Sequence, residues 1–204
     1  IDIINNFNTN GVLFGDGKRN KIKLFDLDDI TINIKSFKIP HLLNKIVYRY
    51  FRKSKARRSY EFATALLDKK INTPNPIAYY EKYNLLGLSD SYYICEHLHF
   101  DFMIRDLIET ENFPDMENIL KQFAQFSFKL HENGIEFLDH SPGNTLIKRK
   151  ENNLYDFYLI DLNWMKFHQS MGFQSRMKNL RKITPSQEMI QIISTEYAKL
   201  YDKP

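Results

Sequence analysis

The spacing of apolar residues changes about halfway along the chain. Up to Glu96, apolar and polar side chains alternate in short runs, most clearly in residues 30–37, 77–83 and 91–96, which is typical of β-strands. Beyond Glu96 an apolar stripe at helical spacing comprises Ile119, Leu120, Phe123, Phe126 and Leu130. Because the part up to Glu96 is rich in strands and the part beyond it is largely helical, the sequence predicts an α+β architecture with a boundary near residues 96–99.

Capping and helix-breaking residues indicate where the elements end. The first 40 residues are expected to form strands and turns, and a helical pattern follows over residues 41–70, where Ser54 can cap a second helix. Asp115 is the expected N-cap of the helix that carries the apolar stripe, and Gly134 is its expected left-handed C-terminal residue. The remaining predicted elements are strands over residues 135–138, 145–148 and 155–161, and a helical stretch over residues 177–200 that Pro185 breaks.

Composition restricts the class of protein. With 43% hydrophobic and 14% aromatic residues among 204, the chain can form a core, so disorder over most of its length is excluded. The single cysteine, Cys95, cannot form an internal disulfide and is expected to be a buried small hydrophobe in a reducing compartment. No run approaches the roughly 18 apolar residues of a membrane span, and no signal-peptide pattern opens the chain. We therefore expect a soluble cytoplasmic protein.

Positive charge is concentrated in one segment. The net charge is only +4, yet residues 31–60 contain nine basic residues and no acidic one. Such a segment attracts anions such as phosphates, acidic lipid headgroups or nucleic acid. A solvated helix face is an equally good interpretation of this composition, and no nucleic-acid-binding motif accompanies the segment.

A polar loop between two apolar strands carries the residues that suggest chemistry. Asp139 and Asn144 lie five residues apart with Pro142 between them, and Asp161 ends the strand pair that follows. Phosphoryl transfer needs a carboxylate near the attacking hydroxyl and oxygen ligands that hold Mg²⁺ against nucleotide phosphates. An Asp-x₄-Asn loop with a second Asp on a neighbouring strand provides both. Taken alone, the loop could also be an ordinary turn, because its residue types favour turns.

The same residues resemble a known superfamily. Residues 138–144 resemble the catalytic loop of protein-kinase-like enzymes, and residues 160–162 resemble their metal-binding Asp-Phe-Gly segment. Over residues 11–182 the chain is most similar to bacterial lipopolysaccharide kinases, the Kdo/heptose kinase family that acts on the inner core. The other stretches that carry this resemblance are residues 34–38, 52–61, 73–76 and 131–135.

The resemblance implies a two-lobed protein-kinase-like fold of the α+β class. Residues 1–97 would form a small β-rich N-lobe that binds nucleotide, and residues 98–204 a reduced, mainly helical C-lobe that carries the catalytic loop. By family likeness, Asp139 is the catalytic base that accepts the proton of the substrate hydroxyl, and Asn144 and Asp161 are the Mg²⁺ ligands.

Lys35 and Glu61 are the implied nucleotide-binding pair. Lys35 is similar to the lysine that holds the α- and β-phosphates, and Glu61 to the glutamate that orients it. Each also has an ordinary interpretation, since Lys35 could be a strand lysine with its head in solvent and Glu61 could pair with Arg57 at i, i+4. Lys38 is the rival for the phosphate role but lies closer to the end of the strand.

Four further residues are implied to contact the nucleotide. Gly15 and Gly17 fall in the region of a phosphate-covering loop, where the absence of a side chain lets backbone N–H groups approach. Glu96 and Leu98 lie where the adenine would bond to the connection between the lobes.

Some positions depart from the superfamily pattern. Phe137 replaces the histidine of most protein kinases, Leu162 and Asn163 replace Phe and Gly, and the glycine loop matches no full G-x-G-x-x-G. The short stretch after Asp161 leaves no room for a long activation segment, which disfavours a regulated protein kinase.

The resemblance implies an ATP- and Mg²⁺-dependent kinase that phosphorylates a sugar hydroxyl of the lipopolysaccharide core. Residues 45–58 could contact an anionic membrane, placing the protein in the cytoplasm at the periphery of the inner membrane. Two alternatives stay open: a kinase for a protein or small alcohol such as an aminoglycoside, and an inactive binding module with a kinase fold.

Overall fold

The computed structural model describes residues 2–15, 20–38, 53–85, 87–184 and 186–201. The chain divides into two compact units. The first unit contains Ile1–Leu66 and Pro74–Leu98, and the second contains Leu67–Thr73 and His99–Pro204. The lobe roles expected for the two halves stay predictions.

Within its described residues, the first unit is built on one antiparallel sheet. Its strands are β1 (Val12–Phe14), β2 (Lys21–Asp26), β3 (Thr31–Ser36), β4 (Pro76–Asn84) and β5 (Gly87–Glu96), in the spatial order β1-β2-β3-β5-β4. The alternation in the sequence therefore predicted β3 and β4 well. Strand β5 begins at Gly87, four residues before the alternating run at 91–96 that predicted it.

A short N-terminal helix, α1 (Asp2–Asn5), was not predicted among the expected strands and turns. It is only four residues long, so it carries no helical period for a sequence pattern to reveal. The turn that follows it brings Phe7 onto one face of the sheet, where its ring centroid lies 5.1 Å from that of Tyr92. The buried core on this face consists of Phe7, Phe25, Ile32, Ile34 and Tyr92.

Helix α2 (Lys55–Asp68) begins where the sequence predicted it. The Arg57 backbone N–H donates to the Ser54 hydroxyl oxygen at 3.0 Å, so Ser54 caps the helix as expected. The preceding helical pattern falls mostly on residues 39–52, outside the described residues.

The second unit combines short strands with four described helices. Its elements are β6 (Phe102–Met103), α3 (Ile104–Glu109), α4 (Met116–Glu132), β7 (Ile135–Phe137), β8 (Thr145–Arg149), β9 (Tyr155–Leu159), β10 (Met165–Phe167), α5 (Phe173–Leu180) and α6 (Gln187–Leu200). Strands β6, β8 and β9 form one sheet, and β7 pairs with β10. The apolar stripe of α4 lies in the core that these elements share with α6.

The start of α4 corrects one prediction. Asp115 occupies the N-cap position, but its backbone is left-handed (φ +59°) and its side chain makes no capping bond. The carboxylate instead accepts hydrogen bonds from the Tyr155 hydroxyl at 2.8 Å and the Asn118 amide at 2.9 Å. Tyr155 on β9 thus competes with the helix N-terminus for the Asp115 side chain. A local sequence pattern cannot predict a partner so far along the chain. Gly134 is left-handed (φ +70°), as predicted.

Two further element ends differ from expectation. Strand β9 ends at Leu159 and does not reach Asp161, whose left-handed backbone (φ +57°) is incompatible with a strand. The last helical stretch begins at Phe173, earlier than residue 177, and is interrupted after Leu180. Helix α6 restarts after Ser186, whose hydroxyl accepts from the Met189 N–H. Pro185, the predicted breaker, lies outside the described residues.

The core of the second unit should depend on Phe123. Its side chain is fully buried at 0% exposure, whereas Leu154 is 54% exposed. We expect Phe123→Ala to lower the free energy of unfolding by about 3–5 kcal/mol, because it leaves a cavity. Leu154→Ala should change it by no more than about 0.5 kcal/mol. Urea denaturation followed by circular dichroism measures both, and equal effects would contradict this core assignment.

Candidate active site

The loop after β7 is closed on itself by hydrogen bonds to one carbonyl oxygen. The Asp139 carbonyl accepts from the Ser141 N–H at 2.7 Å and from the Asn144 side-chain amide at 2.8 Å. The Asn144 N–H donates to the Ser141 carbonyl at 3.0 Å within a short 3₁₀ turn that begins at Pro142. Since the amide nitrogen of Asn144 is held inward, its Oδ1 is the atom left to act as a cation ligand.

Asp161 is brought beside this loop by the backbone. The Ile160 N–H donates to the Asn144 carbonyl at 3.0 Å, which places the next residue, Asp161, at the end of the loop. Asn163 holds Asp161 in its left-handed conformation, because its N–H donates to the Asp161 carbonyl (2.9 Å) and its amide to the carboxylate (2.8 Å). A non-glycine residue in this region costs roughly 1–2 kcal/mol. The structure therefore brings together Asp139, Asn144 and Asp161.

Segment Leu67–Thr73 fixes the strand that leads to Asp161. The buried Thr73 hydroxyl donates to the Leu159 carbonyl at 2.7 Å, and the Leu159 N–H donates to the Asn72 carbonyl at 3.0 Å. These bonds explain why this segment belongs to the second unit although the chain around it lies in the first.

His140 lies inside the protein directly after Asp139. Its ring is fully buried, 5.4 Å from the Phe137 ring and 5.6 Å from that of Phe123, and its Nε2 is 3.5 Å from the Thr145 hydroxyl. Burial, assisted by His131, lowers the pKa of His140 to about 3, so the ring is neutral at physiological pH.

A buried polar network lies beneath β7. Burial lowers the pKa of His131 to about 4, so its imidazole is neutral. Its Nε2 contacts the Asn179 Oδ1 at 3.0 Å and its Nδ1 the Tyr197 hydroxyl at 2.8 Å. Because Asn179 Oδ1 can only accept, Nε2 carries the proton and Nδ1 accepts from Tyr197. Asn179 donates in turn to the Phe137 carbonyl, and Arg176 donates to the Tyr197 hydroxyl at 3.3 Å.

The sequence did not single out two residues of the second unit that bond the backbone just before the loop. Asn179 bonds Phe137 across 42 residues, and Lys182 donates to the Leu138 carbonyl across 44 residues. No local motif links partners that far apart, and an Asn or Lys in a helical stretch looks like any solvated residue.

In the first unit, the Lys35 side chain projects from the sheet face against which helix α2 packs. Lys35 is directly opposite Tyr93, which is directly opposite Tyr79, so the three side chains project to one face. The Tyr79 ring centroid lies 5.5 Å from that of Tyr60 on α2. The Lys35 ammonium is 5.4 Å from the Phe37 ring centroid, a cation–π distance.

Glu61, also on α2, is engaged by two cations of its own segment. Its carboxylate accepts from Lys53 at 2.8 Å and from Arg57 at 3.0 Å. Partial burial acts to raise the pKa of Glu61, but the hydrogen bonds from these two cations outweigh it and the net pKa is lowered. The i, i+4 pair with Arg57 is therefore present, and the role of Glu61 in orienting Lys35 stays a prediction.

Of the other four residues predicted to contact the nucleotide, the structure describes three. Gly15 is left-handed (φ +83°), and a Cβ there would meet no atom within 4 Å, which suits an exposed loop. Gly17 lies outside the described residues. Glu96 ends β5, and its carboxylate accepts from the Asn75 amide at 2.8 Å. Leu98 is the last residue of the first unit.

The donor set beside the loop fits a magnesium ion. Among the described residues, no group of three or more His, Cys, Asp and Glu could hold a metal by itself. Mg²⁺ typically takes one or two carboxylates, keeps waters and uses substrate phosphates for the rest of its octahedron. The Asp161 carboxylate and the Asn144 Oδ1 are a suitable protein contribution to such a shared site.

The fold and the site define a kinase-like protein. A solved structure described as "WaaP in complex with acyl carrier protein" matches with a TM-score of 0.64 and 13% identity, over 100% of this chain and 83% of that one. A Rio2 kinase–ADP/Mg²⁺–phosphoaspartate complex from Chaetomium thermophilum matches with a TM-score of 0.57 and 15% identity, over 96% of this chain and 57% of that one. Among curated proteins, no sequence matches. The fold class expected from the sequence is confirmed.

The family follows from the sequence model that matches residues 15–203. This chain belongs to the lipopolysaccharide kinase (Kdo/WaaP) family. It is therefore a phosphotransferase that acts on a sugar hydroxyl, and the resemblance noted from residues 11–182 is confirmed.

Burial of His140 predicts an acid-sensitive stability. The unfolded ring titrates near 6.5 and the folded one near 3, so between these values the unfolded state binds the extra proton. The free energy of unfolding should fall below pH 6.5, by about 1.4 kcal/mol per pH unit from this residue.

His140→Leu should remove that contribution, whereas Thr145→Val, which keeps the imidazole, should not. Urea titrations from pH 7 to pH 4 measure the slope. An unchanged slope in His140→Leu would show that the ring is protonated in the folded state.

Proposed function

We propose that this protein uses ATP and Mg²⁺ to phosphorylate a sugar hydroxyl of the lipopolysaccharide inner core, on Kdo or heptose. The observation that carries the proposal is the closed loop in which Asn144 bonds the Asp139 carbonyl while the Ile160–Asn144 bond brings Asp161 alongside. Membership of the lipopolysaccharide kinase family supports the acceptor class.

Asp139 is the residue placed to handle the acceptor proton. Its carbonyl oxygen is occupied by Ser141 and Asn144, and its half-buried side chain lies in a loop that these bonds hold rigid. The carboxylate accepts the hydroxyl proton as the acceptor oxygen bonds the γ-phosphorus and the bond to the β–γ bridging oxygen breaks, releasing ADP. Mg²⁺ held by Asn144 and Asp161 would neutralise charge on the phosphates.

The first unit would contribute the nucleotide contacts. Lys35 would bind the α- and β-phosphates, and its position on the face covered by α2 supports a role shared with Glu61. Gly15 and Gly17 would approach the phosphates, and Glu96 and Leu98 would contact adenine.

Peripheral membrane contact is proposed for residues 45–58. The acceptor is lipid-linked, and basic residues near an anionic surface contribute about 1 kcal/mol each. Of these residues, Lys53 and Arg57 pair with the Glu61 carboxylate. No helix among the described residues is long and apolar enough to cross a membrane. A cytoplasmic location at the periphery of the inner membrane is part of the same proposal.

Substitution of the proposed base tests the function. Asp139→Asn keeps the shape of the side chain but cannot accept the proton, so kcat for core lipopolysaccharide should fall by about 100-fold or more. ATP affinity and thermal unfolding should stay at wild-type values, because the loop bonds use the Asp139 backbone. Radiolabelled phosphate transfer and calorimetric ATP titration measure these quantities.

Asp156→Asn is the matched control, since this β9 carboxylate pairs with Lys150 at 3.4 Å and lies outside the loop. It should transfer phosphate at the wild-type rate. Full activity of Asp139→Asn would remove Asp139 from the mechanism.

A further inference from the structure

Two cations from distant parts of the second unit lie against the catalytic loop, which has no Lys or Arg of its own in residues 139–144. The Arg105 guanidinium, from α3, packs directly over Gly143. The Lys182 ammonium, which follows α5, lies 3.0 Å from the Leu138 carbonyl, the peptide oxygen adjoining Asp139. Positive charge thus flanks Asp139 on both sides along the chain.

The Arg105 guanidinium occupies the space beside the glycine at position 143. Gly143 is absent from the left-handed glycines of the described residues, so its backbone is open to other residue types. A Cβ at this position would collide with Arg105 Nη2 and lie 2.9 Å from Arg105 Cζ. The missing side chain therefore leaves room for Arg105 against the loop.

Neither cation is neutralised by a carboxylate. In the described part of the chain, no ion pair includes Arg105 or Lys182, and both side chains are exposed. The neighbouring Asp106 carboxylate accepts from the Met103 N–H at 2.7 Å. By contrast, Arg176 pairs with Glu132 at 2.6 Å. Residues 162–187 contain no acidic residue, so the surroundings of Lys182 in the chain stay positive.

We propose that Arg105 and Lys182 bind an anionic group of the acceptor, a phosphate or a carboxylate, and so make the enzyme specific for an acidic sugar. This inference rests on the proposed function. Arg105 can bind a phosphate or carboxylate through two parallel N–H donors. Lys182 uses one of its three N–H donors on Leu138 and has two more for a ligand. Their contacts at Gly143 and Leu138 lie on either side of Asp139 in the chain, and the Asp139 carboxylate would accept the proton of the reacting hydroxyl.

The experiment compares three acceptors: the deacylated core oligosaccharide, the same oligosaccharide dephosphorylated with hydrofluoric acid, and the same with its carboxylates reduced. Arg105→Gln and Lys182→Gln are assayed against Lys121→Gln, which replaces a partly exposed lysine of α4 that pairs with Glu117. The readouts are KM for the acceptor, kcat and KM for ATP.

Each of the two test variants should raise the acceptor KM about tenfold, the effect of losing a hydrogen bond to a charged group. Their kcat and KM for ATP should stay unchanged, and Lys121→Gln should behave as the wild type. Wild-type KM should rise with one chemically modified acceptor, which identifies the anion, and the variants should no longer respond to that modification.

A wild-type acceptor KM in both variants would overturn the proposal. So would variants that lose kcat while responding to the modified acceptors as the wild type does, because that pattern indicates a structural role. If the wild type transfers no phosphate, the proposed function fails separately. Calorimetric binding of the intact oligosaccharide still decides this inference, and no difference between wild type and variants would refute it.

Discussion

The hydrogen bond from the Asn144 amide to the Asp139 carbonyl closes the loop around which the second unit is organised. It holds the proposed base, Asp139, and the proposed metal ligand, Asn144, close together in space, and the Ile160–Asn144 bond brings Asp161 beside the same turn. Backbone and side-chain hydrogen bonds thus hold three residues from different parts of the sequence in one site. A site that is held in place in this way needs little reorganisation when charge develops in the transition state.

A buried hydrogen-bond network next to the loop holds it in place. Asn179 links the strand before the loop to His131, and His131 links it to Tyr197 on α6. His140 is an exception, since its Nδ1 is buried with no hydrogen-bond partner in the described residues. An unsatisfied buried group costs about 1–3 kcal/mol, and this cost is offset by the aromatic rings packed around it. Catalytic geometry thus depends on core packing.

Local patterns predicted most of the elements and suggested the candidate site residues, because both depend on residues a few positions apart. Strand alternation, the Ser54 cap and the left-handed Gly134 are examples, as is the Asp-x₄-Asn spacing. Features that depend on distant partners were missed. The Asp115 side chain, for example, bonds the Tyr155 hydroxyl 40 residues away. Two contacts with nearer residues were also missed, from Asn163 to the Asp161 carboxylate and from Lys53 to the Glu61 carboxylate. The bond from Asn179 to the Phe137 carbonyl forms only when the chain is folded, so no local sequence pattern could predict it.

The most direct test is a radiolabelled transfer assay from ATP to three acceptors, namely core lipopolysaccharide, a generic protein substrate and an aminoglycoside, with the product mapped by phosphorus NMR. We predict a phosphomonoester on a Kdo or heptose hydroxyl of the core, formed only when Mg²⁺ is present, and negligible label on the other two acceptors. Label on the protein or the aminoglycoside with unmodified core lipopolysaccharide would contradict the account.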